Sequence, residues 1–144
     1  MAGDPLDVFI SYSHKDEALK DELLPHLTIL QREDRIKTWQ DRDIEAGMEW
    51  EAAIKTQLEK AKIILLLVTT NFLASKYCYV KEMQRAVQRH QEGTARVLPI
   101  ILKPCGWKYS AFNVLQVLPK EGNPISRWPD RAEAWFDVEE GIRK

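Results

Sequence analysis

IILLLVTTNFLASKYCYVKEM, running from Ile63 to Met83, is the stretch whose reading decides the fold. Ile63 to Val68 is a continuous apolar run, the pattern of a strand buried on both faces. Thr69, Thr70 and Asn71 break it with polar, turn-prone side chains. Beyond Ser75 the period changes, and Tyr79, Val80, Met83 and Val87 are spaced as one apolar stripe of a helix. A central strand therefore hands over to a loop, and the loop to a helix that runs to about Gln91, with Gly93 as its stop signal. That helix carries Cys78 and Glu82 four residues apart. Cβ atoms on a helix tilt toward its N-terminus, so Glu82 is aimed back at the carboxyl end of the strand. Ligands of open α/β sheets bind in the crevice at that end. The competing reading of a lone helical glutamate is a solvated surface residue.

Toward the N-terminus, Leu6 to Ser11 has the β-branched and aromatic content of a short strand. It ends in a hydroxyl-rich turn, Ser11-Tyr12-Ser13-His14-Lys15-Asp16, where Ser13 or Asp16 can cap the next helix. Leu19, Leu23, Leu27 and Leu30 supply that helix's apolar face, and Pro25 within it predicts a kink or a late start. Arg35 to Trp39 reads as a second strand at the sheet edge, followed by a charged loop, Gln40 to Gly47. Glu49 opens a helix with Trp50, Ile54 and Leu58 on one face.

Toward the C-terminus, Arg96 to Leu102 is a further strand, and Pro99 in it argues for an edge or a bulge. Pro104 to Lys120 reads as irregular with one helical turn, and Pro124 to Arg127 as a brief last strand. Asp130 caps a final helix whose face is Ala134 (or Trp135), Val138 and Ile142. That helix reaches Lys144 with no stop signal, which reads as a single domain, residues 1–144, excised from a longer protein. Strands alternating with helices call for one parallel sheet covered on both faces, a flavodoxin-like α/β domain.

Composition narrows the function. The chain has 144 residues, 44% hydrophobic and 30% charged, with 21 basic and 22 acidic side chains for a net charge of −1. That balance offers no electrostatic case for nucleic acid or an anionic membrane. No apolar run is long enough to span a bilayer, and MAGDPLDV is not a secretory leader. Cys78 and Cys105 are not spaced as metal ligands, and His14, His26 and His90 are scattered. No metal is expected, and reduced thiols of a cytoplasmic protein are.

Three motifs together resemble the bacterial TIR (Toll/interleukin-1 receptor) domain family, of the NAD-cleaving type. They are Asp7-Val8-Phe9-Ile10-Ser11-Tyr12-Ser13 with Asp16; Trp39 through Gly47 with Trp50; and Phe72 through Cys78 to Glu82, followed by Arg96 to Ile101. Leu118-Pro119, Pro124-Ile125, Trp128, Ala134 and Gly141-Ile142 look like the family's last strand and helix. The resemblance implies a five-stranded parallel sheet of order 2-1-3-4-5. It also implies NAD+ as substrate with no prosthetic group, cleaved to nicotinamide and ADP-ribose or a cyclic ADP-ribose product. Glu82 matches the family's catalytic glutamate, whereas Cys78 stands where many NAD-cleaving members carry tryptophan. An aromatic partner then has to come from Tyr77, Tyr79, Trp39 or Trp50.

Nicotinamide in NAD+ is already a cationic leaving group, so no acid has to protonate it, and the transition state is an oxocarbenium-like sugar cation. One carboxylate at the ribose can stabilise that charge, a role Glu82 can fill alone. The further substrate-binding candidates are Phe9, Ser11, Tyr12, Ser13, Trp39, Asp41, Glu45, Trp50 and Cys78. Against most of them stands a plainer role. Ser11, Tyr12 and Ser13 can serve the helix cap, Phe9 and Trp50 the core, and Asp41, Asp43 and Glu45 a solvated loop. Cys78 lacks a neighbouring base in sequence to activate it as a nucleophile. By resemblance the partners are other TIR domains, in a homo-oligomer or filament, and sensor domains of a parent protein in bacterial immune signalling. The rival from another class is a non-catalytic adaptor that signals by association. A response-regulator receiver is set aside, since Asp7 precedes the apolar core of the first strand instead of following it.

Overall fold

A computed structural model describes residues 6–39, 50–75, 82–109, 115–119 and 122–143. In chain order the elements are β1 (Leu6–Ser11), α1 (Glu17–Arg32), β2 (Ile36–Trp39), α2 (Trp50–Lys60), β3 (Ile63–Val68), α3 (Thr70–Ala74), α4 (Gln84–Gln91), β4 (Arg96–Ile101) and α5 (Arg131–Arg143). The four strands form one parallel sheet in the order β2-β1-β3-β4, with Phe9 beside Trp39 and Ser11 beside Leu66. β2 takes the edge, as its weak alternation predicts.

Every residue of β3 is buried, and its side chains alternate between two cores. Ile63, Leu65 and Leu67 join Val8, Ile10, Leu19, Leu23, Leu27 and Leu30 of α1, and Ala134, Trp135, Val138 and Ile142 of α5. Ile64, Leu66 and Val68 join Phe9, Ile54 and Leu58 of α2, Phe72 of α3 and Met83 and Ala86 beside and on α4. Each such aliphatic side chain withdrawn from water contributes about 1.5–3 kcal/mol, so β3 anchors both layers.

Several local readings change. α1 runs unbroken through Pro25, which lies on its exposed side, so the freed carbonyl faces water while four buried leucines hold the opposite face. Thr69 does more than break β3: its hydroxyl accepts the Phe72 N–H at 3.1 Å and caps the short α3, where a loop is expected. Ile125–Arg127 is a 3₁₀ turn, not a strand. Pro124 fixes its entry, and only Ile125 of the three is buried, so no alternation exists to build a strand. Among the described residues the fifth strand position holds a single parallel bridge, Ile100 to Leu118.

That bridge explains Pro99. The Pro99 carbonyl accepts the Leu118 N–H and the Leu118 carbonyl accepts the Ile101 N–H, both at 2.8 Å. In a parallel ladder a residue's N–H and C=O face the same neighbour, so the missing N–H of Pro99 falls on the outer side of β4, where it costs β3 nothing. α4 ends as Gly93 predicts. Gly93, at φ +75°, donates to His90 and Thr94 donates to Arg89, the paired closing bonds of a Schellman turn. α1 closes in the same way with Asp34 at φ +58°.

Candidate functional site

The sheet's connection reverses between β1 and β3, and Ser11 is the last residue of β1 beside that point. Glu82 and Met83 are wound as a π-type turn leading into α4, a local widening that recurs at functional sites. The turn delivers Glu82 to Ser11, whose hydroxyl donates to Glu82 Oε1 at 2.5 Å. Both side chains are buried, Ser11 at 1% exposure and Glu82 at 6%. Glu82 is therefore no solvated surface residue. It lies at the carboxyl end of β1, next to the end of β3 toward which the helix geometry aims it.

Two braces hold α4 in place. Arg85 makes a two-pronged pair with Glu59 of α2, at 2.5 and 2.6 Å, which holds the Glu59 carboxyl below its ordinary range against a smaller opposing effect of burial. Arg89, buried one turn further, donates to the carbonyls of Leu58 and Ala61 at the end of α2 and to Thr94.

A third contact joins the two strand ends. Asp16, at 4% exposure, accepts the Thr69 hydroxyl at 2.5 Å on Oδ2 and the Asn71 amide at 3.1 Å on Oδ1. It makes no side-chain cap to α1. Ser13 does cap the intervening 3₁₀ turn, accepting from the Lys15 N–H at 3.4 Å. The Asp16 strap ties the segment after β1 to the start of α3 and so fixes the rim around Ser11 and Glu82. The sequence shows Thr69 and Asn71 only as turn residues and Asp16 as a cap candidate within the first motif, and no local pattern links the three.

The other candidates divide by sheet face. Phe9 packs in the same core as α2 and α4, beneath Ser11 on β1. Tyr12 belongs to the opposite core, under α1, where fully buried Lys20 places Nζ 5.0 Å from its ring centroid and 3.0 Å from Asp21. Ser11 and Tyr12 are thus not brought together as one set of hydroxyls. Trp39 ends β2 and Trp50 opens α2, and their side chains lie outside the described part. Asp41, Asp43, Glu45, Tyr77, Cys78 and Tyr79 also lie outside the described residues. Cys105 is a free, half-buried thiol, pushed up by burial against a weaker backbone hydrogen bond from Trp107. Among the described residues no group of three His, Cys, Asp or Glu side chains is placed to hold a metal ion, and no helix is long and apolar enough to cross a membrane.

The family model for the TIR domain matches residues 8–134. The chain belongs to the TIR domain family. It is 47% identical over 137 residues to the uncharacterized protein y4lF of Sinorhizobium fredii, a match covering 95% of this TIR domain and 42% of that protein. The chain thus spans less than half the length of that curated relative. Solved structures share the fold at low identity. The TIR domain of the Toll-related receptor TRR-2 from Hydra magnipapillata superposes with a TM-score of 0.69 at 22% identity, covering 96% of this TIR domain and 99% of that one. TIR domains of the activated Roq1 resistosome give 0.65 at 14% identity, covering 95% and 99%. The RPS4 and RRS1 TIR domain heterodimer gives 0.56 at 10%, covering 95% and 96%.

Proposed function

We propose that this TIR domain cleaves NAD+ at the nicotinamide–ribose bond, with Glu82 as the catalytic carboxylate, in bacterial immune signalling. The observation that carries the proposal is the burial of Glu82 at the β1/β3 switch point with its carboxylate held by Ser11. Charged side chains are rarely buried away from a task or a partner, and this one sits where open α/β sheets bind ligands.

The chemistry asks little else of the protein. As the C–N glycosidic bond breaks, its electron pair leaves with nicotinamide, neutralising the pyridinium, and positive charge develops on the ribose. A fixed carboxylate in a dry site stabilises that charge without reorganising at the moment of reaction. Water then adds to the anomeric carbon and gives up a proton to solvent, yielding ADP-ribose; attack by the adenine of the same molecule yields a cyclic product.

Purified chain incubated with NAD+ should release free nicotinamide, measured by liquid chromatography. Glu82→Gln keeps the size and removes the charge, so release should fall by about 10²-fold or more while the melting temperature stays close to the parent's. Turnover by the Gln variant within a few-fold of the parent refutes the assignment.

The reading of TIR domains as mutual partners is supported by the relatives above, which were solved in a resistosome and as a heterodimer. Association of this chain with other TIR domains and with sensor domains of a parent protein is proposed alongside catalysis. An adaptor that only associates would form such assemblies and release no nicotinamide.

A further inference from the structure

Ser11 stands out among the hydroxyls near the switch point because its partner is the reacting group itself. Its backbone is fixed in the sheet, in register with Leu66 of the fully buried β3. Its side chain is 1% exposed, and its hydroxyl, which has a single proton to give, gives it to Glu82 Oε1. Glu82 arrives from a π-type turn outside regular α-helix, so the backbone beneath it is less regular than the strand that meets it. A carboxylate at the end of a glutamate side chain rotates about a broad terminal torsion unless something holds it. The sheet, through the Ser11 hydroxyl on Oε1, supplies such a hold.

We infer that Ser11 is a positioning residue: its hydroxyl, held by β1, sets the rotation of the Glu82 carboxylate so that an oriented oxygen meets the developing ribosyl cation, and Ser11 itself does not bind the substrate. This inference rests on the reading of Glu82 as the cation-stabilising group and adds to it a fixed orientation with a named cause. Losing an interaction that matters mainly at the transition state lowers kcat, whereas losing a substrate contact raises KM. A small misplacement of a catalytic group costs roughly 10²-fold in rate, which bounds the effect.

The test measures kcat and KM for nicotinamide release from NAD+ by the full chain, alongside its melting temperature. Ser11→Ala should lower kcat by roughly 10- to 100-fold with KM nearly unchanged. Ser11→Thr, which keeps the hydroxyl, should return kcat to within a few-fold of the parent. If Ser11→Ala does not fold, Ser11→Cys, close in size and a weak donor, is read in its place with the same expected loss. A raised KM with unchanged kcat would make Ser11 a substrate contact and overturn the inference. So would a Ser11→Ala enzyme with parental kcat, or a folded Ser11→Thr enzyme as slow as Ser11→Ala. An active parent whose Glu82→Gln variant is equally active removes the premise, as does a parent that releases no nicotinamide; in either case it is the reading of Glu82 that fails, a result distinct from an insensitive Ser11.

Discussion

Asp16→Ala removes the strap between the segment after β1 and the start of α3 without touching Ser11 or Glu82. Two hydrogen bonds to a charged acceptor disappear, from Thr69 at 2.5 Å and Asn71 at 3.1 Å. Bonds of this kind contribute about 1.5–3 kcal/mol each, but they are not additive here. Asn71 is half-buried and can turn to water, whereas Thr69, at 2% exposure, keeps only its cap to Phe72 and loses the acceptor for its proton. Removing a buried carboxylate also returns part of its desolvation cost. The net loss is then about 2–3 kcal/mol, dominated by the Thr69 hydroxyl. For a chain of 144 residues this lowers the melting temperature by about 6–9 °C. Asp16→Asn keeps one carbonyl oxygen for Thr69 and should lose about half as much. The assay is thermal unfolding followed by circular dichroism, with urea unfolding to check that the m-value stays constant. An Asp16→Ala chain melting within 2 °C of the parent (about the size of a surface substitution) would refute the claim that the strap holds the rim together.

Two glycines separate strain from crowding. Gly93→Ala meets nothing within 4 Å, so the left-handed backbone alone should cost about 1 kcal/mol. Gly141→Ala would place its Cβ 2.5 Å from Leu118 on the bridge beside β4 and should cost about 1–3 kcal/mol; equal, negligible losses in urea unfolding would contradict both. The Arg143 hydrogen bond holds Glu33 below its ordinary carboxylate range, and Arg85 does the same for Glu59. A depressed folded value means these contributions are complete above pH 4.5 and lost as pH falls through the lower folded values, so Arg143→Met and Arg85→Met should each flatten the acid side of the stability profile; profiles parallel to the parent's would count against this. If association is needed for catalysis, specific activity should rise with protein concentration over a wide dilution series; a constant specific activity with a monomeric mass throughout would exclude that coupling.

What was legible in the sequence was what short-range pattern encodes. The apolar run Ile63–Val68 admits little but a strand buried on both faces, and Gly93 ends α4 because a left-handed residue there suits glycine. Helical tilt aimed Glu82 at the end of β3, but the structure brings it there on a π-type turn ahead of α4 and not on the helix itself. Long-range polar contacts were not legible. Asp16 meets Thr69 and Asn71 across 53 and 55 positions, and each of the three has an adequate local role as cap or turn residue. The end of α1 was hidden because Asp34 does the work usually given to glycine. The brief last strand was misread because Pro124-Ile125 has the apolar content of a strand, while proline geometry and a single buried residue make a turn. Ser11 was visible as a candidate hydroxyl, but that its proton goes to Glu82 depends on strand register and on a turn that no local pattern specifies.

The outer margin of β4 bears on how copies of this domain can meet. Three residues of that strand face outward. Pro99 has no donor, Ile101 has given its N–H to Leu118, and the Val97 N–H is taken by His90 Nδ1 at 3.4 Å. Among the described residues of β4, an incoming strand from another chain would find no outward backbone N–H on offer, and strand addition needs a row of them. The edge is thereby protected against amyloid-like stacking and sheet-to-sheet fusion, the standing hazard of open sheets. Any assembly of these domains that involves this flank has to be built from side chains on helices and loops, contacts that can form and release with a signal instead of locking into a continuous sheet.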